Sequence, residues 1–120
     1  MKVFLVEDSP MLRERLQGLL AAIPGAEVVG HAAGAPEALE GIAGAQAEVV
    51  VLDIQLEKGS GFDVLKALQK SAPHVEVYML TNFASDSYRM AALRYGARGF
   101  FDKSTEIDRL REVLAKRAAA

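Results

Sequence analysis

Residues 49–54 read Val-Val-Val-Leu-Asp-Ile, a run of apolar β-strand formers that meets its first carboxylate at Asp53. A strand that is apolar at successive positions is buried on both faces, as the central strands of a parallel sheet are. Ligands of open α/β sheets bind at the carboxyl ends of such strands. The comparable run Lys2–Val6 leads directly into Glu7 and Asp8. If these two strands are neighbours, three carboxylates meet at one edge of the sheet.

The composition predicts a single domain over residues 1–120 and excludes several classes of function. The 120 residues are 51% hydrophobic, which is enough for a core without disulfide or metal staples. The absence of cysteine excludes thiolate catalysis and cysteine-ligated zinc, and it is compatible with a cytoplasmic location. The formal net charge of -2 argues against a general nucleic-acid surface. No signal-peptide pattern and no apolar run of about 18 residues is present, so we expect no membrane association.

Apolar runs and helical periodicities alternate along the whole chain. Five runs are predicted as strands: Lys2–Val6, Glu27–Ala33, Glu48–Asp53, Val75–Leu80 and Gly99–Phe101. Each is followed by a segment with helical spacing of its apolar residues. This alternation predicts an α/β fold with helices on both faces of a parallel sheet. We therefore predict a flavodoxin-like (βα)5 three-layer sandwich with strand order 2-1-3-4-5.

Caps, glycines and prolines predict where the first two helices begin and end. Ser9-Pro10 combines an N-cap with proline at the first helical position, and Pro24-Gly25 ends that helix. The second helix is predicted over Pro36–Ala43, with its end near Gly44.

Similar signals apply to the later helices. The fourth helix is predicted over 85–95, and Thr105 is predicted to cap the last one. Three residues of the third helix and three of the fifth are expected to face the core: Phe62, Leu65 and Leu68, then Ile107, Leu110 and Leu114.

Three carboxylates at one edge require a compensating proton or cation. Two unit charges about 4 Å apart repel by about 4 kcal/mol at an effective dielectric constant near 20. Mg²⁺, or Mn²⁺ in its place, suits Glu7, Asp8 and Asp53 because such ions prefer oxygen ligands and keep several waters. His31 and His74 do not have the spacing of a transition-metal site and are expected far from this edge.

Two further polar side chains reach the same edge from later strands. Thr81 follows the fourth predicted strand and Lys103 follows the fifth. A cation, a hydroxyl group and an ammonium group around one carboxylate can bind a transferring phosphoryl group. We therefore predict that Asp53 is a nucleophile that becomes an aspartyl phosphate, with Lys103 and Thr81 as its catalytic partners.

The chain resembles the receiver (CheY-like) domain of two-component response regulators. The resemblance rests on Glu7-Asp8, Asp53, Thr81 and Lys103, each at the end of a predicted strand. It implies that a sensor histidine kinase or a phosphotransfer protein phosphorylates Asp53 in the presence of Mg²⁺. It also implies that the backbone carbonyl of Gln55 is a further metal ligand.

The same resemblance implies a conformational switch. Thr81 would bind a phosphoryl oxygen and draw its loop inward, and Phe100 would turn inward on activation. The surface of the fourth helix, fifth strand and fifth helix would then bind an output protein, an effector domain or a second copy of the chain. Gln55 and Asn82 flank the acceptor and are candidate determinants of phosphate lifetime. We expect no direct binding of nucleic acid by this domain.

Ser104 departs from the commonest pattern of the family. It follows Lys103 where many receivers have a proline in a cis peptide. A cis bond before any other residue costs about 2.5–4 kcal/mol. The peptide between Lys103 and Ser104 is therefore expected to be trans, or else cis and held under strain by its surroundings.

Three arginines make the region of the fourth helix locally basic: Arg89, Arg94 and Arg98. A solvated helix face and a docking surface both account for them. The sequence leaves these two interpretations open.

Three other functions fit parts of the pattern. An aspartate-nucleophile phosphohydrolase usually has a second aspartate two residues after the nucleophile, where this chain has Gln55. A flavodoxin-type FMN binder needs a loop rich in Ser, Thr and Gly after the first strand, whereas residues 7–10 are acidic. A pseudo-receiver would act as an interaction module without phosphorylation, although every residue for phosphorylation is present.

Overall fold

The computed structural model describes all residues of the chain, 1–120, as five strands and five helices in alternation. The strands are β1 (Lys2–Val6), β2 (Glu27–Ala32), β3 (Val49–Leu52), β4 (Glu76–Thr81) and β5 (Gly99–Asp102). The helices are α1 (Pro10–Ala21), α2 (Ala35–Ala45), α3 (Gly61–Ser71), α4 (Asp86–Arg94) and α5 (Ile107–Ala119). The predicted alternation is confirmed, and each strand boundary lies within one residue of its predicted position.

All five strands are parallel and follow the order β2-β1-β3-β4-β5, as predicted. In the pairing of β1 with β3, Val6 lies opposite Leu52. The amide of Asp53 then donates to the carbonyl of Val6 over 3.1 Å. Glu7 and Asp53 therefore leave neighbouring strands at the same level of the sheet.

The central strand β3 is buried along its whole length. Val50 and Leu52 face the core beneath α2, α3 and α4. Val49 and Val51 face the core beneath α1 and α5. Burial on both faces explains why apolar residues occupy successive positions in this segment. The same burial holds in place the strand that leads into Asp53.

The start of α1 follows the prediction, since the Ser9 hydroxyl accepts a hydrogen bond from the amide of Leu12 and Pro10 is the first helical residue.

The end of α2 differs from the predicted end near Gly44. The helix continues past Gly44 to Ala45, and Gln46 ends it with a φ of 52°. This left-handed conformation, unusual for glutamine, allows the amides of Gln46 and Ala47 to close the last turn and buries Ala47. These hydrogen bonds and the burial of Ala47 offset the free-energy cost of the left-handed backbone conformation at Gln46.

Thr105 does not cap α5, which corrects the prediction. Residues 102–105 form an additional turn in which the amides of Thr105 and Glu106 both donate to the carbonyl of Asp102. The helix consequently starts one residue later, with Glu106 as its N-cap and without a side-chain capping bond. The inward residues of α5 are as predicted: Ile107, Leu110 and Leu114.

Phe62 packs against the core as predicted, although it is only partly buried. Val64 is buried, beside Leu65 and Leu68. The Phe62 ring lies at the start of α3 and packs against Tyr88 of α4, with ring centroids 5.7 Å apart.

None of the five helices is both long and apolar enough to cross a membrane.

Candidate functional site

Asp53 is buried immediately after β3. Its Oδ1 accepts a hydrogen bond from the amide of Ile54 over 2.7 Å, and its Oδ2 accepts one from the Lys103 ammonium over 2.8 Å. The start of α3 closes against the same turn, because the Gly61 amide donates to the carbonyl of Ile54 over 2.7 Å. A Cβ at Gly61 would collide with the backbone carbonyl of Asp53. The Ile54 amide and the Lys103 ammonium therefore hold the two carboxylate oxygens, and α3 packs closely against the backbone that carries them.

Glu7 and Asp8 supply the second and third carboxylates from the end of β1. Glu7 is buried, and its Oε2 accepts the amide of Ser9 over 3.0 Å, whereas Asp8 is exposed. Each of Glu7, Asp8 and Asp53 offers a carboxylate oxygen, and these oxygens lie within 4.8 Å of one another. The structure thus brings together the three acids that the sequence predicted at this edge.

Lys103 neutralises much of this negative charge. Its ammonium nitrogen lies 2.7 Å from Oε1 of Glu7 and 2.8 Å from Oδ2 of Asp53, with only 10% of the side chain exposed. Burial opposes the charged form, but the hydrogen bonds that the ammonium donates to Asp53 and Glu7 outweigh it and raise the pKa of Lys103. Burial also raises the pKa of Glu7, against the opposing effects of Lys103 and the Ser9 amide. The lysine remains a cation within an otherwise acidic cluster.

Thr81 ends β4 with its side chain fully buried. Its Oγ1 accepts a hydrogen bond from the amide of Phe83 over 3.0 Å, which leaves the hydroxyl hydrogen for a second partner. The backbone carbonyl of Thr81 accepts the amide of Lys103 over 3.0 Å. Gln55 and Asn82 are both exposed in the loops after β3 and β4.

The donor set fits a hard divalent cation. Three carboxylates supply the oxygen ligands that Mg²⁺ prefers, and Mg²⁺ takes only one or two of them while keeping its waters. Asp8 is exposed, so a hydrated ion can reach the cluster. No histidine belongs to this cluster, and His31 and His74 are exposed outside it.

The loop that carries Lys103 contains only trans peptide bonds. Asp102 stabilises the turn, because its Oδ1 accepts the amide of Ser104 over 2.8 Å and the Ser104 hydroxyl over 2.6 Å. These two bonds lower the pKa of Asp102. Ser104 thus completes a hydrogen-bonded turn at the position where many receivers have proline.

Phe100 is buried, with 4% of its surface exposed, and Arg89 of α4 lies over its ring. Sequence reasoning grouped Arg89 with Arg94 and Arg98, but their environments differ. Arg94 is exposed, and Arg98 lies 3.9 Å from Glu76 near the opposite end of the sheet.

Sequence reasoning missed the contacts of Arg89 and Glu106 with this part of the fold. The one available signal was helical spacing, because Arg89 lies one turn after the cap residue Ser85 and three residues before the buried Ala92. No comparable signal was present for Glu106, whose side chain accepts the amide of Asp102 across the turn.

Comparison with curated proteins finds relatives that are longer than this chain. It is 36% identical over 102 residues to the DNA-binding transcriptional activator DevR/DosR of Mycobacterium tuberculosis, covering 85% of this chain and 47% of that protein. It is 34% identical over 115 residues to the uncharacterized transcriptional regulatory protein YvfU of Bacillus subtilis, covering 96% and 58%. The chain therefore spans about half the length of these curated relatives.

Comparison with solved structures gives the same fold. The response regulator domain of Thermotoga maritima CheB matches with a TM-score of 0.86 and 27% sequence identity, covering 99% of this chain and 93% of that one. A family model for the response regulator receiver domain matches residues 3–115. This match covers nearly the whole chain and includes every residue of the acidic cluster and its lysine, and the chain belongs to the family of response regulator receiver domains.

Proposed function

We propose that Asp53 accepts a phosphoryl group in the presence of Mg²⁺ and that the phosphorylated chain signals to an output partner. The observation that carries this proposal is the position of the Lys103 ammonium, which bridges Asp53 and Glu7 at the carboxyl edge of the sheet. A fixed carboxylate beside a fixed cation supplies the positioning and charge neutralisation on which phosphoryl transfer depends.

The donor is a phosphohistidine of a sensor histidine kinase or a phosphotransfer protein. A bond forms between a carboxylate oxygen of Asp53 and phosphorus, the bond from phosphorus to the imidazole nitrogen breaks, and that nitrogen recovers a proton. The amide of Ile54 holds one carboxylate oxygen of Asp53 throughout. Lys103, already in contact with the other oxygen, offsets the charge that the phosphoryl group adds.

Glu7, Asp8 and Asp53 would hold Mg²⁺, with the backbone carbonyl of Gln55 as a further ligand. When bound, the ion supplies charge neutralisation for the phosphoryl oxygens. The chain's own contribution is to keep two of these carboxylates buried and in fixed positions, Glu7 by the Ser9 amide and Asp53 by the Ile54 amide.

Thr81 has the remaining hydroxyl donor. We expect it to donate to a phosphoryl oxygen, and the loop at Asn82 and Phe83 to move with it, because the Phe83 amide is bonded to the same oxygen. Gln55 and Asn82 are exposed beside the acceptor, which suits a role in admitting or blocking the hydrolytic water.

The test is labelling with acetyl phosphate and Mg²⁺, followed by intact mass spectrometry. The wild-type chain is expected to gain one phosphoryl group, and Asp53→Asn is expected to gain none because an amide is not a nucleophile for this reaction. Asp108→Asn is the matched control, since Asp108 is an exposed acid in the first turn of α5. Continued labelling of Asp53→Asn would place the acceptor elsewhere.

The output face is proposed on α4, β5 and α5. Tyr88, Met90 and Leu93 of α4 expose large apolar side chains, with 71% of Met90 in solvent. A groove of about 520 Å³ lies beside them and is lined by Arg89 and Arg98, among others. An effector domain, a separate output protein or a second copy of the chain would bind here, and we expect no direct contact with nucleic acid. Measuring the molecular size of the chain in solution with and without a phosphoryl mimic would detect a homodimer. We expect the reaction to take place in the cytoplasm.

The alternative functions are not favoured. The acceptor site has the residues of a receiver and the family match covers it, which argues against an FMN site and against a pseudo-receiver. The residue two positions after Asp53 is Gln55, which cannot act as the acid and base of a phosphohydrolase. We expect the chain to turn over its own aspartyl phosphate and no external substrate.

A further inference from the structure

Arg89 of α4 makes two contacts with the aromatic residue of the predicted switch. Its guanidinium carbon lies 5.0 Å from the centroid of the Phe100 ring. Its Nη1 also donates a hydrogen bond to the backbone carbonyl of Phe100 over 3.0 Å. The ring and the backbone of Phe100 are therefore held by one side chain from another element.

The same guanidinium group reaches the loop after β5. Nη2 of Arg89 lies 3.9 Å from Oε1 of Glu106, and that carboxylate oxygen accepts the amide of Asp102 over 3.1 Å. Arg89 thus contacts the chain on both sides of Asp102 and Lys103, at Phe100 before them and at Glu106 after them.

Lys103 depends on this loop for its position. Its amide is bonded to the carbonyl of Thr81, and its ammonium reaches Glu7 and Asp53 across the edge of the sheet. The ammonium nitrogen already lies 2.7 Å from Glu7 and 2.8 Å from Asp53. A small shift of the loop would therefore move it away from both carboxylates.

We propose that Arg89 is a positioning residue for phosphoryl transfer to Asp53: it clamps Phe100 and Glu106 and so holds the loop that presents Lys103. The inference rests on the proposed function of Asp53 and deepens it. Arg89 touches none of the three carboxylates of the acidic cluster, so it acts on the transfer rate through the loop and supplies no ligand to the metal ion.

The test compares Arg89→Met with Arg89→Lys and with the control Arg94→Met. Methionine keeps much of the aliphatic stem and removes the charge and the donors, whereas lysine keeps the charge over the ring and loses the planar fork. Arg94 lies on the same helix and is exposed, so its replacement controls for the loss of one positive charge from α4.

Three quantities are measured for each variant: the labelling rate with acetyl phosphate at saturating Mg²⁺, the Kd for Mg²⁺, and the exchange rate of the Asp102 amide hydrogen. We expect Arg89→Met to label about three- to tenfold more slowly, the size of effect that a half-exposed cation–π contact and one charged hydrogen bond can have. The Asp102 amide should exchange faster, and the Mg²⁺ affinity should not fall, because a displaced Lys103 competes less with the ion for Glu7 and Asp53. Arg89→Lys should recover part of the rate, and Arg94→Met should match wild type.

Two results would overturn the inference while leaving the proposed function intact. One is a wild-type labelling rate in Arg89→Met. The other is a slower rate accompanied by an equal loss of Mg²⁺ affinity and faster amide exchange throughout the sheet, which would mean a general loss of structure. A wild-type chain that fails to label at all would instead contradict the proposed function.

Discussion

The ammonium group of Lys103 lies 2.7 Å from Glu7 and 2.8 Å from Asp53, and both acids are buried. Removing one partner of a buried ionic cluster leaves uncompensated charge, which costs more than the attraction that is lost. The same lysine competes with any cation for these two carboxylates. Its replacement should therefore change both the stability of the fold and its response to Mg²⁺.

We expect Lys103→Met to lower the free energy of unfolding by about 3 kcal/mol without Mg²⁺. Added Mg²⁺ should restore part of the loss and should stabilise the variant more than it stabilises wild type. Urea unfolding with and without Mg²⁺ measures both effects, and Lys70→Met, an exposed lysine of α3, serves as the control. Equal unfolding midpoints for Lys103→Met with and without the ion would contradict the competition.

The residues of this site could be predicted because each follows a strand. Parallel strands deliver the residues after their carboxyl ends to one edge, so Glu7, Asp53 and Lys103 were placed together without any knowledge of side-chain packing. The clamp formed by Arg89 and Glu106 was not predicted. It depends on how α4 lies against β5, and the helical spacing of Arg89 from Ser85 and Ala92 was the one signal for it in the sequence.

At the scale of elements, the junction between β3 and α3 has the least room for an added side-chain atom. Ile54 and Gly61 are joined by a backbone hydrogen bond, and a Cβ at Gly61 would meet the carbonyl of Asp53. That neighbour is backbone and cannot move aside without moving the acceptor carboxylate. By contrast, Gly18 in the middle of α1 has nothing within 4 Å of its Cβ position.

Alanine at these two glycines should have opposite effects. We expect Gly61→Ala to lower the free energy of unfolding by about 2–4 kcal/mol and to slow the labelling of Asp53, because the start of α3 must move. Gly18→Ala should raise stability by about 0.5–1 kcal/mol, since alanine is the better helix former. Chemical unfolding of both variants measures this. A neutral Gly61→Ala would show that the two elements are not tightly joined.

Element boundaries could be predicted where one side chain decides them. Ser9 caps α1 through its own hydroxyl, and that signal is local. The ends that were predicted incorrectly depend on backbone turns and packing that no single side chain decides. Gln46 adopts a left-handed conformation after which Ala47 is buried, and the turn at Asp102 delays the start of α5 past Thr105.

For the whole molecule, the amino ends of the strands form a second polar region, opposite the acceptor site. The side chain of Glu76 accepts a hydrogen bond of 2.6 Å from Arg117 of α5 and one of 3.3 Å from the Tyr78 hydroxyl. Burial raises the pKa of Tyr78, and the Glu76 carboxylate raises it further. The folded chain therefore holds the phenolic proton more tightly than the unfolded chain does.

This difference gives stability a dependence on alkaline pH. A group whose pKa is raised on folding contributes its full stabilisation below its unfolded pKa, about 10 for tyrosine, and loses it as the pH rises through the folded value. We expect the urea midpoint of wild type to fall between about pH 9 and pH 11 by more than that of Tyr78→Phe, which has no proton to lose there. Parallel midpoints for the two proteins would show that Tyr78 is not the group responsible.

The burial of β3 on both faces has a consequence for how such a domain can diversify. Amide hydrogens in a strand enclosed on both sides exchange with solvent only when large parts of the protein open, so we expect slow exchange in β3, the strand that leads into Asp53. The exposed apolar side chains of the proposed output face are Tyr88, Met90 and Leu93 of α4, and they lie outside the core. We therefore expect mutation of these three side chains to change what the proposed output face binds without disturbing the proposed chemistry at Asp53.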